Sequence, residues 1–452
     1  MKSKRIHHPI VTLPVANGRM YIVSSPALAS QVQRASASLS FEQLTVEVGP
    51  RLLGIDEKTK RIIADPKTKV VSHALNHIIH PYLGPAEMEG LCVTQLQRFT
   101  DFFDGILSGL ETDLFRLVTR EITRAGMATY YGPENPMAIQ TDLIDEFWNW
   151  ETGIVAYMVG IMPQWTARRA YNGINRCAKG FEEYFNRGRH AQASELVRRR
   201  QKLHDDAGIS YSQQSRLEVG LSLGINVNAS ITLFWVLNNV FSRPSLLAEL
   251  RHEIQSNAIL LPNTISFAAL RDSCPLLNSV YRETMRFCAP MSTTRYVSDD
   301  TLIADRYLLR KDSIVQIIGG LLHSDPGIWG HDVDSFNPRR FYHTPNGSKT
   351  SDNGRVPASK GSQIHPAAFR AFGGGTSLCP GRHFAQVEVL SFAATMVMGW
   401  DMEPPKGQEK IRWDPPMDEK TFLVAAIKPL RNLDVKLVRR QGMEDTKWVL
   451  QY

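Results

Sequence analysis

Apolar and polar positions alternate at the start of the chain. Val11-Thr12-Leu13-Pro14 and Met20-Tyr21-Ile22-Val23 have the two-residue period of strands, and Asn17-Gly18 between them is a hairpin signal. After Ser24-Ser25-Pro26 the period lengthens to that of a helix. From about residue 85 to 200 helical periodicity dominates, interrupted by Tyr131-Gly132-Pro133-Glu134-Asn135-Pro136. Glu146 to Met162 is apolar and aromatic but interrupted, which predicts a core helix. Leu217 to Val240 predicts a long, mostly apolar helix carrying a few small and polar residues, among them Asn226 and Asn228. Alternation returns after Trp400, notably in Phe422-Leu423-Val424-Ala425-Ala426. The pattern predicts a mainly α protein with small β-sheets and no internal repeat.

Composition narrows the function classes. Over 452 residues, 43% hydrophobic and 21% charged content are those of a globular protein with a large core. The net charge of +7 is a mild excess without basic runs interleaved with aromatics, which argues against nucleic acid as a partner. Arg198-Arg199-Arg200-Gln201-Lys202 is expected to be a solvated face or loop, with partner docking as the alternative. Five scattered cysteines, Cys92, Cys177, Cys274, Cys288 and Cys379, are odd in number and never in CxxC spacing. They suit a reducing compartment better than a disulfide framework or zinc site. Neither a signal-peptide core nor an uninterrupted run of about 18 apolar residues stands out, so the chain is expected to be cytoplasmic or peripheral.

The stretch richest in chemistry is Phe372-Gly373-Gly374-Gly375-Thr376-Ser377-Leu378-Cys379-Pro380-Gly381-Arg382. Three glycines let the backbone approach a neighbouring flat group closely. Pro380 suits a first helical position, so Cys379 is expected at a helix N-terminus, where free amides and the dipole favour thiolate over thiol. A thiolate there is a metal ligand. Two other readings are a small buried hydrophobe and a nucleophile activated by His383, although no oxyanion site accompanies the latter. Upstream, Glu283 and Arg286 stand three residues apart on one predicted helix face. The same spacing at Glu121/Arg124 and Glu195/Arg198 is expected to be surface pairing. Phe336-Asn337-Pro338-Arg339-Arg340-Phe341 follows, and 343–365 reads as an exposed polar loop.

In this order the motifs resemble those of the cytochrome P450 family, from about residue 10 to about residue 430. Phe372, Gly375, Cys379 and Gly381 are similar to the family's heme-binding loop, whose cysteine thiolate is the axial ligand of heme iron. The resemblance implies a P450 fold in a single catalytic domain, with heme b between a long distal helix and the cysteine loop. It also implies a buried carboxylate, Glu283, clamped between Arg286 and Arg340, and a propionate-binding arginine at Arg295, for which the alternative is an exposed strand charge. Phe422 to Ala426 resembles the final strands, whose turn often lines the pocket.

Three departures stand out. Ser377 replaces the arginine usual two positions before the cysteine. On the long helix, aligning Gly224 with the family's first small residue puts Val227 where an acid is usual and Asn228 where a threonine is usual. Asn228 then becomes the candidate oxygen-side polar group, as in the sterol 7α-hydroxylase and prostacyclin synthase branch; helix-interior amides bonding nearby carbonyls are the plainer alternative for Asn226 and Asn228. The N-terminal membrane anchor of eukaryotic members is not seen, although the resemblance implies the endoplasmic reticulum membrane for a full-length form.

The activity implied is heme-thiolate oxidation of a lipophilic terpenoid, steroid or polyketide in secondary-metabolite biosynthesis, similar to fungal members. It would use O2 and electrons from NADPH through NADPH-cytochrome P450 reductase. Two alternatives are rearrangement of a peroxide without O2 or reductase, and heme binding without catalysis.

Overall fold

The computed structural model describes residues 8–15, 18–342, 364–418 and 425–452. Most of the 343–365 loop and residues 422–424 of the expected late strand lie outside the described residues. The chain is mainly helical with small sheets, and it gathers into two compact units. One comprises chiefly the described residues up to Thr45 together with Asn278–Cys379. The other comprises Val46–Leu277 and most of the described residues from Pro380 onward.

The first unit is built on a five-stranded sheet. Its order is Ile10–Val15, Gly18–Val23, Ser313–Ile317, Thr293–Val297 and Leu39–Ser40. The first two strands pair antiparallel from Ile10 opposite Val23 to Val15 opposite Gly18, which is the hairpin that the alternation predicts. The helix Pro26–Arg34 follows, started by Ser25, whose side chain accepts from the amide of Leu28. Along Thr293–Val297 every second residue is buried, so Thr293, Arg295 and Val297 share the inward face.

In the second unit the helix Tyr211–Phe241 packs against Leu114–Tyr131, Arg168–Asn186 and Arg382–Gly399. Among the described residues it is the one helix long and apolar enough to cross a membrane, yet 72% of its most apolar window is buried within the protein. Phe99, Phe103 and Phe392 form an aromatic cluster, with the Phe99 and Phe392 rings edge to face at 5.2 Å.

Two expectations are corrected here. Glu146 to Met162 is not one core helix: Leu143–Thr152 stops at Gly153, and Ile154–Val159 stops at Gly160 in the left-handed region, leaving Val155, Val159, Ile161 and Met162 exposed. At Gly153 an added Cβ would lie 2.7 Å from the Ala170 Cβ. The basic run is not wholly a solvated face. Arg198 and Arg199 pair with Glu195 on the surface, but Arg200 is buried and donates from Nη2 to Glu218 Oε1 at 3.0 Å. Tyr131 donates to the other oxygen of Glu218 at 2.9 Å.

Candidate heme-thiolate site

The cysteine loop is shaped from its glycines outward. Gly373 and Gly375 have φ of +73° and +66°, which side chains with a Cβ rarely adopt. Gly374 is extended, and a Cβ there would lie 2.9 Å from Arg370 Nη1 and closer still to the Gln33 amide. Gly375, Thr376 and Ser377 form a short 3-10 turn closed by the Leu378 amide on the Gly375 carbonyl at 3.1 Å. The chain then doubles back, and the Cys379 amide donates to the Phe372 carbonyl at 2.9 Å.

Cys379 is not at the first turn of a helix. The helix begins at Arg382 with Gly381 as its cap, and Pro380 precedes it in a turn. The correction has a local cause, because the preceding 3-10 turn and the Phe372 contact hold the backbone out of helical register until Gly381. The Gly381 carbonyl then accepts the first helical bond, from Ala385 at 2.8 Å.

Among the five cysteines Cys379 alone is part-exposed; the other four are buried. Burial pushes the thiols of Cys92, Cys177 and Cys274 up to about 12, which keeps them protonated and inert at neutral pH. Of the five sulfurs, that of Cys379 is the most accessible to a ligand.

Glu283 is completely buried and lies between two arginines. Arg286 donates from Nε to Oε2 and from Nη2 to Oε1, both at 2.9 Å. Arg340 donates from Nε to both oxygens, at 3.0 and 3.1 Å, and the Asn337 amide adds a bond at 3.1 Å. The guanidiniums reach onward, Arg286 to the carbonyls of His323 and Val333, Arg340 to that of Trp329 and to Asp332. At Glu121/Arg124 and Glu195/Arg198 the same spacing yields surface pairs.

Arg295 is not an exposed strand charge, being only 2% exposed. It donates to the Thr294 carbonyl at 2.9 Å and to the Ser377 hydroxyl. Beside it lies Arg370, 1% exposed, which the sequence reading missed. Its one signal was a lone charge in the apolar run Ala367-Ala368-Phe369-Arg370-Ala371-Phe372.

On the long helix, Asn226 is fully buried and its Nδ2 donates to the Ser222 carbonyl at 2.9 Å, the helix-interior role. Asn228 is half-buried, and Val227 is 1% exposed.

A sequence profile described as Cytochrome P450 matches residues 226–430. The chain is 28% identical to the cytochrome P450 monooxygenase nodJ of Hypoxylon pulicicidum, over 97% of this chain and 85% of that one. It is also 28% identical to a cytochrome P450 monooxygenase of Gibberella zeae, over 99% of this chain and 85% of the relative. A cholesterol 7-alpha-monooxygenase of Cricetulus griseus is 23% identical over 72% of this chain and 65% of its own length.

The chain resembles the cytochrome P450 family, its fungal monooxygenases above all. On this match it is an oxidoreductase of the monooxygenase type with heme as its cofactor; the family uses O2 and a redox partner. The residues present fit that group. One part-exposed sulfur on a glycine-shaped loop would supply the soft donor. Arg295 and Arg370 supply buried positive charge to which, among the described residues, no carboxylate comes within ion-pair reach.

Proposed function

We propose that this protein hydroxylates or otherwise oxidises a lipophilic terpenoid, steroid or polyketide in secondary-metabolite biosynthesis, with Cys379 as the axial ligand and electrons from NADPH through a reductase. The observation that carries it is the part-exposed Cys379 at the end of its glycine loop, against four buried cysteines. When bound, a thiolate-ligated heme supplies oxygen activation, the sulfur's electron donation favouring O–O cleavage. In the net reaction one oxygen atom enters a substrate C–H bond, and the other leaves as water with two electrons and two protons.

The protein's part is to bind, orient and control protons. The Phe372 carbonyl fixes the backbone at Cys379, and the Glu283, Arg286 and Arg340 clamp holds the same unit in one arrangement. Asn228 has an amide that donates and accepts but does not titrate, so its role is to order water that carries protons. The family resemblance supports an endoplasmic reticulum location, and a single catalytic domain made of both units.

The test is the difference spectrum of the dithionite-reduced protein with and without carbon monoxide, beside Cys379→Ala. A long-wavelength Soret band lost in the variant is expected. A heme spectrum unchanged by the substitution overturns the ligand assignment.

A second reading, rearrangement of a peroxide, is favoured by Val227, buried and apolar where the family's helix usually has an acid. Product formation without NADPH or reductase would select it.

A further inference from the structure

Five buried arginines of the described chain fall into two groups, while Arg282 lies over the Phe341 and Phe369 rings. Arg286 and Arg340 share Glu283, and Arg200 has Glu218. Arg295 and Arg370 are buried more deeply than Arg200 yet have each other as neighbours and, among the described residues, no carboxylate in ion-pair range. Burial lowers both guanidinium pKa values to about 10, and for Arg370 the charge of Arg295 adds to the effect.

The neighbours of Arg370 hold it in place without neutralising it. Its Nη2 donates to Thr293 Oγ1 at 2.6 Å, and its backbone amide donates to His323 Nε2 at 2.7 Å. With the Gln33 amide in the orientation that satisfies both of its atoms, the Gln33 oxygen accepts from Nη1 and from Nη2, the latter at 3.1 Å. The Nε–H has no partner although fully buried. Thr293 and Arg295 alternate on one strand face, so Arg370, bonded to Thr293, is brought beside Arg295. Ser377, standing where the family usually has an arginine, bonds to Arg295 through its hydroxyl.

We propose that Arg370, nine residues before Cys379, replaces the arginine missing at Ser377 and joins Arg295 in holding the carboxylates of the heme. Buried positive charge is tolerated when it is paired, and a prosthetic group with two propionates supplies the missing partners. Thr293 and Gln33 orient the guanidinium, and Ser377 leaves room and contributes a neutral bond to Arg295. The proposal rests on the heme reading above. A carboxylate-bearing substrate offers the same chemistry, and the experiment separates the two sources.

The experiment follows heme transfer from the holoprotein to excess apomyoglobin, for wild type, Arg370→Gln and Arg370→Lys. Each is loaded in turn with heme and with heme whose propionates are methyl esters. Arg370→Gln is expected to lose ordinary heme about 10- to 100-fold faster than wild type, the range for a charge-assisted hydrogen bond. Arg370→Lys restores part of the retention. The long-wavelength carbon monoxide band is kept, because Cys379 still ligates. Esterification weakens retention in wild type and does so much less in Arg370→Gln, a convergence that a merely structural arginine would not produce.

Wild-type heme retention in a folded Arg370→Gln overturns the proposal, as does a loss confined to binding of acidic substrates. If Arg370→Gln does not fold, the wild-type comparison decides: equal retention of heme and its diester overturns it. A wild type without a thiolate-type spectrum is a different result, and it removes the heme reading itself.

Discussion

Arg340 Nε lies 3.0 Å from Glu283 Oε1, on a carboxylate that Arg286 already holds through both of its oxygens. All three side chains are under 8% exposed, with Glu283 at 0% and Arg340 at 7%. Removing the carboxylate strands two buried cations. Glu283→Gln is therefore expected to cost about 3–5 kcal/mol, read as a lower urea midpoint at pH 7. Glu195→Gln, which breaks a pair of the same spacing on the surface, should cost under about 1 kcal/mol. Equal effects of the two substitutions would mean that the clamp is no more than a surface pair.

That contrast shows what one chain can and cannot disclose. Glu283 and Arg286 were legible because a helix fixes which residues three apart can meet, and Arg340 because a second motif followed in order. The hairpin at Ile10–Val23 was legible from its alternation. Arg370, Gln33, Thr293 and His323 were not, since they come from three separate elements and a loop and their meeting is set by packing, which leaves no period in the sequence. The buried role of Arg200 was hidden for a related reason: its charged neighbours on the same helix are solvated, and only Glu218 on another helix tells it apart. Likewise, the need for a glycine at 153 depends on how closely Ala170 approaches.

Gly375 is the loop residue with the least freedom to change. Its φ is +66°, and an added Cβ would lie 2.8 Å from the Gln33 Cβ. Gly375→Ala combines left-handed strain of roughly 1–2 kcal/mol with a clash against a helix side chain. The expected result is a lower melting temperature and a lower heme content per chain, by pyridine hemochrome assay. Normal values for both would show that the loop relaxes freely.

His323 sets an acid limit on stability. Its Nε2 accepts from the Arg370 amide, which places its proton on Nδ1, facing the Arg286 carbonyl at 2.9 Å. Burial lowers its pKa to about 3, with the charges of Arg286 and Arg370 adding to the effect and the bond to the Arg286 backbone opposing it. The unfolded chain takes up a proton below about 6.5 while the folded chain does not. This contribution is thus intact above pH ~6.5 and is lost as pH falls toward 3, at up to about 1.4 kcal/mol per unit. His323→Gln, with no proton to gain, should show a smaller loss of urea midpoint between pH 7 and pH 5 than wild type. Parallel losses would mean that His323 is protonated in the fold.

Glu388 has the opposite sign. It is 1% exposed on the helix that follows the cysteine loop, and it accepts from Gln95 Nε2 at 2.8 Å, while Gln95 in turn accepts from Thr129 at 2.7 Å. No arginine or lysine bonds to it among the described residues, and burial holds its pKa well above the ordinary carboxylate range. The unfolded chain ionises near pH 4.3, but the folded chain keeps its proton. Stability is therefore greatest below about pH 4.3 and falls as pH rises until the folded group ionises too, again by at most about 1.4 kcal/mol per unit. Glu388→Gln keeps an oxygen for Gln95 and removes the ionisation, so the variant should be more stable than wild type at pH 8, with the gap closing toward pH 4. Urea midpoints at pH 4, 6 and 8 test this directly. A gap of constant size would mean that the benefit, if any, comes from packing, and that Glu388 is not the neutral acid its burial requires.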